Sequence, residues 1–270
     1  MEQAKLGSHS VSRFILGSNP FSGFSHQTPA TDVAMKRYFT AARIKETFRQ
    51  AEALGITTVI GRTDHHVMRL LLEYADEGGR LQWIAQTCPE VGSHEACVGR
   101  AESGGAKACY IHGGVMDHLL ASGKTAEVAP VVKMIRERGM MAGIAGHNPD
   151  VFRWAEEHLD VDFYMCAYYN AAHRDTRAEH VSGMAEWFIE EDRATMTSLI
   201  RSLSRPVIHY KVLAAGRNKP ADAFGVVART MRLNDAVCVG VFPQQKPDML
   251  KEDVELFEQA LSRARGASAS

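Results

Sequence analysis

The sequence has no apolar run approaching the ~20 residues needed to cross a bilayer. Its opening, Met1-Glu2-Gln3-Ala4-Lys5, lacks the apolar stretch of a secretory signal. A soluble cytoplasmic chain is therefore expected, with no membrane partner. Neither sign of charge is in excess: 31 Lys and Arg stand against 32 Asp and Glu, for a net charge of −1. Without a basic field there is no reason to expect nucleic acid either. The five cysteines are odd in number and include no CxxC spacing, which speaks against a disulfide framework. Cys109, Cys166 and Cys238 lie in apolar runs, where a reduced thiol packs as a small hydrophobe. A catalytic thiol at Cys166 is the lesser alternative. No GxGxxG segment offers a dinucleotide site, and no HxH or HExxH spacing offers a ready metal site. Any reaction centre has to be gathered from distant residues.

What is present is one rhythm repeated along 270 residues. Apolar runs at 14–18, 57–61, 82–86, 108–112, 141–145, 163–167, 207–211 and 237–241 alternate with amphipathic stretches, the mark of stacked βα units. The runs are continuously apolar rather than alternating, as for strands buried on both faces. Eight such units predict an α/β protein with the (β/α)8 barrel fold, which typically needs ~250 residues. Ile44, Phe48, Ala51 and Leu54 fall at helical spacing, with Gly55 where a helix ends. Asn148-Pro149 reads as an N-cap and first helical residue. No linker interrupts the rhythm, so residues 1–264 are expected to form one domain, with the small polar tail 265–270 disordered. Two longer connections, 20–40 and 170–189, follow the first and sixth strands and read either as a lid over a barrel mouth or as plain surface loops with a few apolar anchors.

Histidines sit at or just past the ends of four of these runs, in Thr63-Asp64-His65-His66, Ile111-His112, Gly146-His147 and Ile208-His209. In a parallel barrel these ends converge on one rim, where such barrels keep their chemistry. The expected catalytic groups are His112, His209, Lys211 and Asp64; His209 and Lys211, two apart in a strand, should face the same side. His112, His147, His209 and His65 are the candidate ligands for Zn, Mn or Fe, which accept nitrogen and oxygen donors. Asn19, Arg62, Gln86, Asn170 and Tyr168 also fall at strand ends and are expected to orient substrate. Each has a plainer reading as well: a hydrogen-bonded core histidine, a capping turn at His147-Asn148, a solvated turn at His65-His66, or an ion pair for Arg62 or Lys211.

The chain also resembles the aldo-keto reductases. Val11-Ser12-Arg13-Phe14-Ile15-Leu16-Gly17 is similar to that family's opening segment, and Gly143-Ile144-Ala145-Gly146-His147-Asn148-Pro149 to its fifth strand and the following turn. Tyr169-Asn170 then Arg174 resembles the sixth strand end, and residues 207–216 the seventh strand, with Val212 in place of a proline. The resemblance implies a barrel and, for the reductases themselves, an Asp, Tyr, Lys and His set beside a nicotinamide. Of these only His112 carries over. Ile60-Gly61-Arg62 stands where the Asp and the proton-donating Tyr belong, and Ala85-Gln86-Thr87 ends the third strand without the Lys. The fold is thus separable from the reaction.

These observations lead to an enzyme acting on a small polar carbonyl or sugar-like substrate by acid–base chemistry, of isomerase, epimerase or lyase type, in which the histidines either shuttle protons themselves or hold a divalent metal (Zn, Mn or Fe) as cofactor. One alternative is an NAD(P)H-dependent reductase with a rearranged proton donor, in which NADP is the cofactor. Another is a non-catalytic ligand-binding barrel. A small-molecule substrate is the expected partner, and self-association as a homo-oligomer stays open.

Overall fold

Segments such as Phe14–Gly17, Thr58–Arg62 and Met141–Gly146 are buried along their whole length. They need cover on both faces, and a barrel wrapped in helices supplies it. A computed structural model describes residues 1–268 in this arrangement. The strands are β1 (Gln3–Leu6), β2 (His9–Ser12), β3 (Phe14–Gly17), β4 (Thr58–Arg62), β5 (Gln82–Gln86), β6 (Ala108–Ile111), β7 (Met141–Gly146), β8 (Phe163–Ala167), β9 (Val207–Tyr210) and β10 (Ala236–Val239). Strands β3 to β10 close into one parallel barrel in sequence order, with β10 pairing back onto β3. All eight expected strands are present.

The helices are α1 (Pro29–Tyr38), α2 (Ala41–Ala53), α3 (His65–Asp76), α4 (His94–Ser103), α5 (Gly113–Ala121), α6 (Val128–Glu137), α7 (Pro149–His158), α8 (Glu190–Ile200), α9 (Pro220–Thr230) and α10 (Met249–Ser268). Their caps follow local chemistry. Thr40 accepts the Arg43 N–H to start α2, and Asn148 accepts the Asp150 N–H ahead of Pro149 to start α7. One face of α2 buries Ile44, Phe48 and Ala51 against the barrel. Full burial of a side chain such as Phe48 contributes about 2–3 kcal/mol. Among the described residues no helix is long and apolar enough to cross a membrane.

Strand alternation divides the core in two. Ile15, Ile60, Ile84, Tyr110, Ala145, Phe163, Met165 and Ile208 point into the barrel and form one apolar cluster. Their neighbours Phe14, Leu16, Val59, Ala85, Cys109, Ala142, Tyr164 and Cys166 point outward into the larger cluster shared with the helices. The inner cluster includes Leu6 and Val11 from the antiparallel hairpin β1–β2. That hairpin plugs the end of the barrel where the strands begin. Its turn passes through Gly7 at φ +56, where a Cβ would also lie 2.8 Å from Met141 Sδ. With one end floored, the other end is the open mouth.

The tail departs from expectation. The tail was expected to be disordered from residue 265, but α10 runs to Ser268, and Arg265 pairs with Glu2 beside the first strand. Residues 269–270 lie outside the described residues. The five cysteines are free and buried, and burial holds the Cys166 thiol well above its ordinary pKa. A thiol that stays protonated is a poor nucleophile, so Cys166 acts in packing.

Candidate active site at the barrel mouth

The residues at the mouth follow from the same alternation. Counting inward from Ile60, Ile84 and Ile208, the side chains of Arg62, Gln86 and Tyr210 are next on the inner face at the strand ends. Tyr210 packs against the inner cluster accordingly. Lys211 is the next residue, and a regular strand would turn it outward. Its φ of +56 ends the strand instead. The Lys211 side chain is nearly covered, 4.0 Å from the Glu186 carboxylate. Burial pushes its pKa down to about 8, with Glu186 working in the opposite direction.

A three-residue relay crosses the mouth. His147 Nδ1 donates to Asp117 Oδ2 at 2.6 Å, and the backbone N–H groups of His147 and Asn148 also donate to Asp117. This fixes the ring and leaves Nε2 as the acceptor, 3.2 Å from the Tyr210 hydroxyl. Gly113 makes room for that hydroxyl: a Cβ there would sit 2.8 Å from it. Burial lowers the His147 pKa, although the Asp117 charge works to raise it. Burial likewise holds Tyr210 well above its ordinary pKa. The result is a carboxylate, a neutral imidazole and a protonated phenol in one line, the arrangement of an oriented proton donor and acceptor.

Around the relay the field is cationic. Arg174 is buried and donates to the Glu179 carbonyl at 2.8 Å, and it forms no carboxylate ion pair among the described residues. Its charge acts on His112, His147, Tyr210 and Lys211 together. The His112 imidazole is held well below its usual pKa by burial and by these charges, and its Nδ1 has no hydrogen-bond partner within the protein. Arg62 is already engaged. It pairs with Asp64 at 3.0 Å and with Glu90, and stacks over Phe24 at 4.8 Å.

The two long connections fold over this mouth and hold each other. His26 Nδ1 lies 2.9 Å from both Glu186 oxygens, Ser182 donates to Asp32, and the His26 and His180 rings are 4.5 Å apart. The loop after β9 joins them, with Gln27 donating to the Ala215 carbonyl at 2.7 Å and Arg217 donating to the His26 carbonyl at 3.2 Å. The described non-glycine residues with positive φ are His26, Lys211, Ala214 and Ala215, and all four belong to this clasp. Backbone strain of this kind clusters at working sites. Beneath it lies a cavity of about 40 Å³ lined by Asn19, Phe24, His26, Arg62, Gln86, Glu90, His112, Glu179 and His180.

The structure therefore brings Asn19, Arg62, Gln86 and His112 together on that cavity. His147 and Lys211 stand at the same mouth, coupled to His112 by charge. Others do not join them. His209 was expected to face the mouth with Lys211, but parity with the inward Ile208 and Tyr210 turns it outward, and only the left-handed turn at Lys211 separates that residue from the same parity. His209 is fully buried on the outer face, hydrogen-bonded to Tyr168 at 2.9 Å and 3.4 Å from Asp235. Tyr168, expected to hold substrate, is committed to that outer pair. His65 is exposed on the first turn of α3, so it cannot join His112 and His147 in one coordination sphere. Asp64 caps that helix through the Val67 N–H and pairs with Arg62, a structural task rather than a catalytic one. Asn170 donates its backbone N–H to Asp192 and does not line the cavity. Sequence reasoning missed Asp117, Tyr210, His26, His180 and Glu186 as site residues. Tyr210 was within reach from its parity with Ile208; Asp117 lies in a helix, and the other three lie in loops without periodicity.

A larger groove of about 1390 Å³ lies between α9 and α10, lined by arginines and aliphatic helix residues. None of the histidines lines it, so the candidate site remains the mouth. No protein-family model and no curated protein matches this chain. Solved structures do. A protein from Pseudomonas aeruginosa described as an aldo-keto reductase superposes with a TM-score of 0.66 at 16% identity, over 96% of this chain and 95% of its own. Aldo-keto reductase AKR11C1 from Bacillus halodurans gives 0.60 at 12% identity, over 98% and 96%. A truncated 3-deoxy-D-arabino-heptulosonate 7-phosphate synthase from Thermotoga maritima gives 0.55 at 13% identity, over 99% and 92%. At such identities the likeness establishes the fold: this chain is a (β/α)8 barrel built like the aldo-keto reductases.

Proposed function

We propose that this protein is an enzyme that moves a proton at a carbon beside a carbonyl or hydroxyl of a small anionic substrate, as an isomerase, epimerase or lyase. The observation that carries the reading is the Asp117–His147–Tyr210 line at the barrel mouth. His147 Nε2 takes the phenolic proton as Tyr210 takes one from substrate, and returns it on the other side of the reaction. Asp117 stabilises the imidazolium that forms in between. Arg174 and Lys211 supply the positive field that attracts a carboxylate or phosphate and stabilises the developing enolate-like charge. A cavity of about 40 Å³ is far below the ~300 Å³ or more of a typical small-molecule pocket. Substrate therefore enters when the two covering loops part, and their closure excludes water from the reaction.

The experiment is proton exchange. The protein is incubated in D₂O with a set of small hydroxy acids, keto acids and sugar phosphates, and the C–H signals are followed by proton NMR. Deuterium appearing beside the carbonyl or carbinol carbon of one compound supports the reading; no exchange with any anionic member opposes it.

A second reading, nicotinamide-dependent reduction, draws support from the fold and from Tyr210, which supplies a proton donor that the strand-end pattern lacks. The fit to the cofactor is poor, however. The strand ends lack the Asp and Lys that the reductase resemblance implies, and no GxGxxG segment offers another dinucleotide site. Fluorescence titration with NADPH separates the two readings: low-micromolar binding favours reduction.

A further inference from the structure

The cluster His26, His180 and Glu186 lies outside the proton relay, and its geometry points to a divalent transition-metal site bridging the two loops over the mouth. One ligand atom from each residue can be chosen so that all lie within 4.8 Å of one another. Glu186 lies 2.9 Å from His26 Nδ1 and 3.5 Å from His180 Nδ1. In a tetrahedral site with ~2.1 Å bonds, neighbouring ligand atoms stand about 3.4 Å apart. The cluster is thus close to that geometry, with one imidazole needing a shift of about 1 Å. Two imidazoles and one carboxylate form a donor set suited to Zn²⁺, Mn²⁺ or Fe²⁺, and leave at least one position for water or substrate.

Two further observations distinguish this cluster from a mere latch. Among the described residues, four buried side-chain polar atoms make no hydrogen bond within the protein: Thr63 Oγ1, Tyr74 OH, His112 Nδ1 and His180 Nδ1, the last facing the Glu186 carboxylate at 3.5 Å without one. Two of them are imidazole nitrogens of residues lining the same cavity as His26, so the cavity is where unsatisfied ligand capacity collects. His26 is also held at φ +55, a left-handed conformation that costs an L-residue about 1–3 kcal/mol, and it is pinned there through its carbonyl by Arg217. The bare cluster is balanced by Lys211, 4.0 Å from Glu186, so a metal ion and the Lys211 ammonium compete for one carboxylate. On binding, the His26 Nδ1 proton now facing Glu186 passes to Nε2, and the ring nitrogen becomes a ligand. Binding itself does not depend on the proposed reaction. Its role there, polarising a substrate oxygen at the cavity, rests on that reading.

The test is metal binding by the full chain. Protein stripped with a chelator is titrated with Zn²⁺ by calorimetry and with Co²⁺ by visible absorption, and its melting temperature is read with and without metal. The expected result is one ion per chain with micromolar or tighter affinity, a Co²⁺ spectrum of four- or five-coordinate type, and a metal-dependent rise in melting temperature. His180→Ala and Glu186→Gln should each lower affinity at least ~100-fold and abolish that rise. Lys211→Met should tighten binding. The proposal is overturned if the wild-type chain binds no ion stoichiometrically. It is also overturned if binding survives Glu186→Gln, or is lost in His65→Ala or His147→Ala while His180→Ala retains it. Loss of proton exchange with metal binding intact would instead count against the proposed reaction alone.

Discussion

At the scale of single residues, burial decides which ionisable groups are available for chemistry. Asp117 is nearly inaccessible yet satisfied by three N–H donors, two from backbone and one from His147. Asp117→Asn keeps an acceptor for the backbone but removes the charge that supports a transient imidazolium. Exchange activity should fall at least ~100-fold with the melting temperature little changed, read by NMR rates and calorimetry. Asp253 in α10 shows the opposite behaviour. It is buried, and desolvation raises its pKa from 3.8 to about 7. The folded state then binds more protons than the unfolded state between about pH 4 and 7, so this group's contribution to stability falls as pH rises through that window. Asp253→Asn should therefore stabilise the protein by about 2 kcal/mol at pH 8 and by little at pH 4, measured by denaturant unfolding at both pH values. His112 and His147 were legible from the sequence because each directly follows an apolar run. His209 misled because it was paired with Lys211 instead of being read by parity against Ile208, and the backbone angle that sets Lys211 apart shows only in the structure.

Elements were legible in proportion to how strongly packing dictated them. The eight barrel strands stood out because burial on both faces makes every position apolar. The hairpin β1–β2 did not, because two four-residue strands with mixed burial give too short a pattern to read. Its importance appears only in the contacts: Leu6 is fully buried within the inner barrel cluster. Leu6→Ala should cost about 2–5 kcal/mol through lost burial and a residual cavity, read as a drop in unfolding free energy with the circular dichroism spectrum unchanged. The loops after β3 and β8 were recognised as long and well placed. The residues that tie them, His26 with Glu186 and Asp32 with Ser182, are 160 and 150 positions apart and follow no period. Glu186→Ala should loosen this clasp and speed tryptic cleavage at exposed Arg177 severalfold, with the melting temperature moving by only a few degrees.

For the whole molecule, the barrel floors one end with a hairpin, opens the other, and draws side chains from β4, β5, β6, β7 and β9 to the open rim. The same build in reductases and in a sugar-phosphate synthase shows how little the scaffold says about the reaction. What differs is local: the strand ends lack the tyrosine and lysine that the resemblance implies, and a phenol on the seventh barrel strand is instead hydrogen-bonded to a buried histidine that pairs with an aspartate. The most direct test compares the rate of substrate proton exchange in D₂O for the wild-type chain and for Tyr210→Phe, which removes one hydroxyl from the rim. The expected result is a loss of at least ~100-fold with the melting temperature preserved. Exchange at the wild-type rate in Tyr210→Phe would contradict the account.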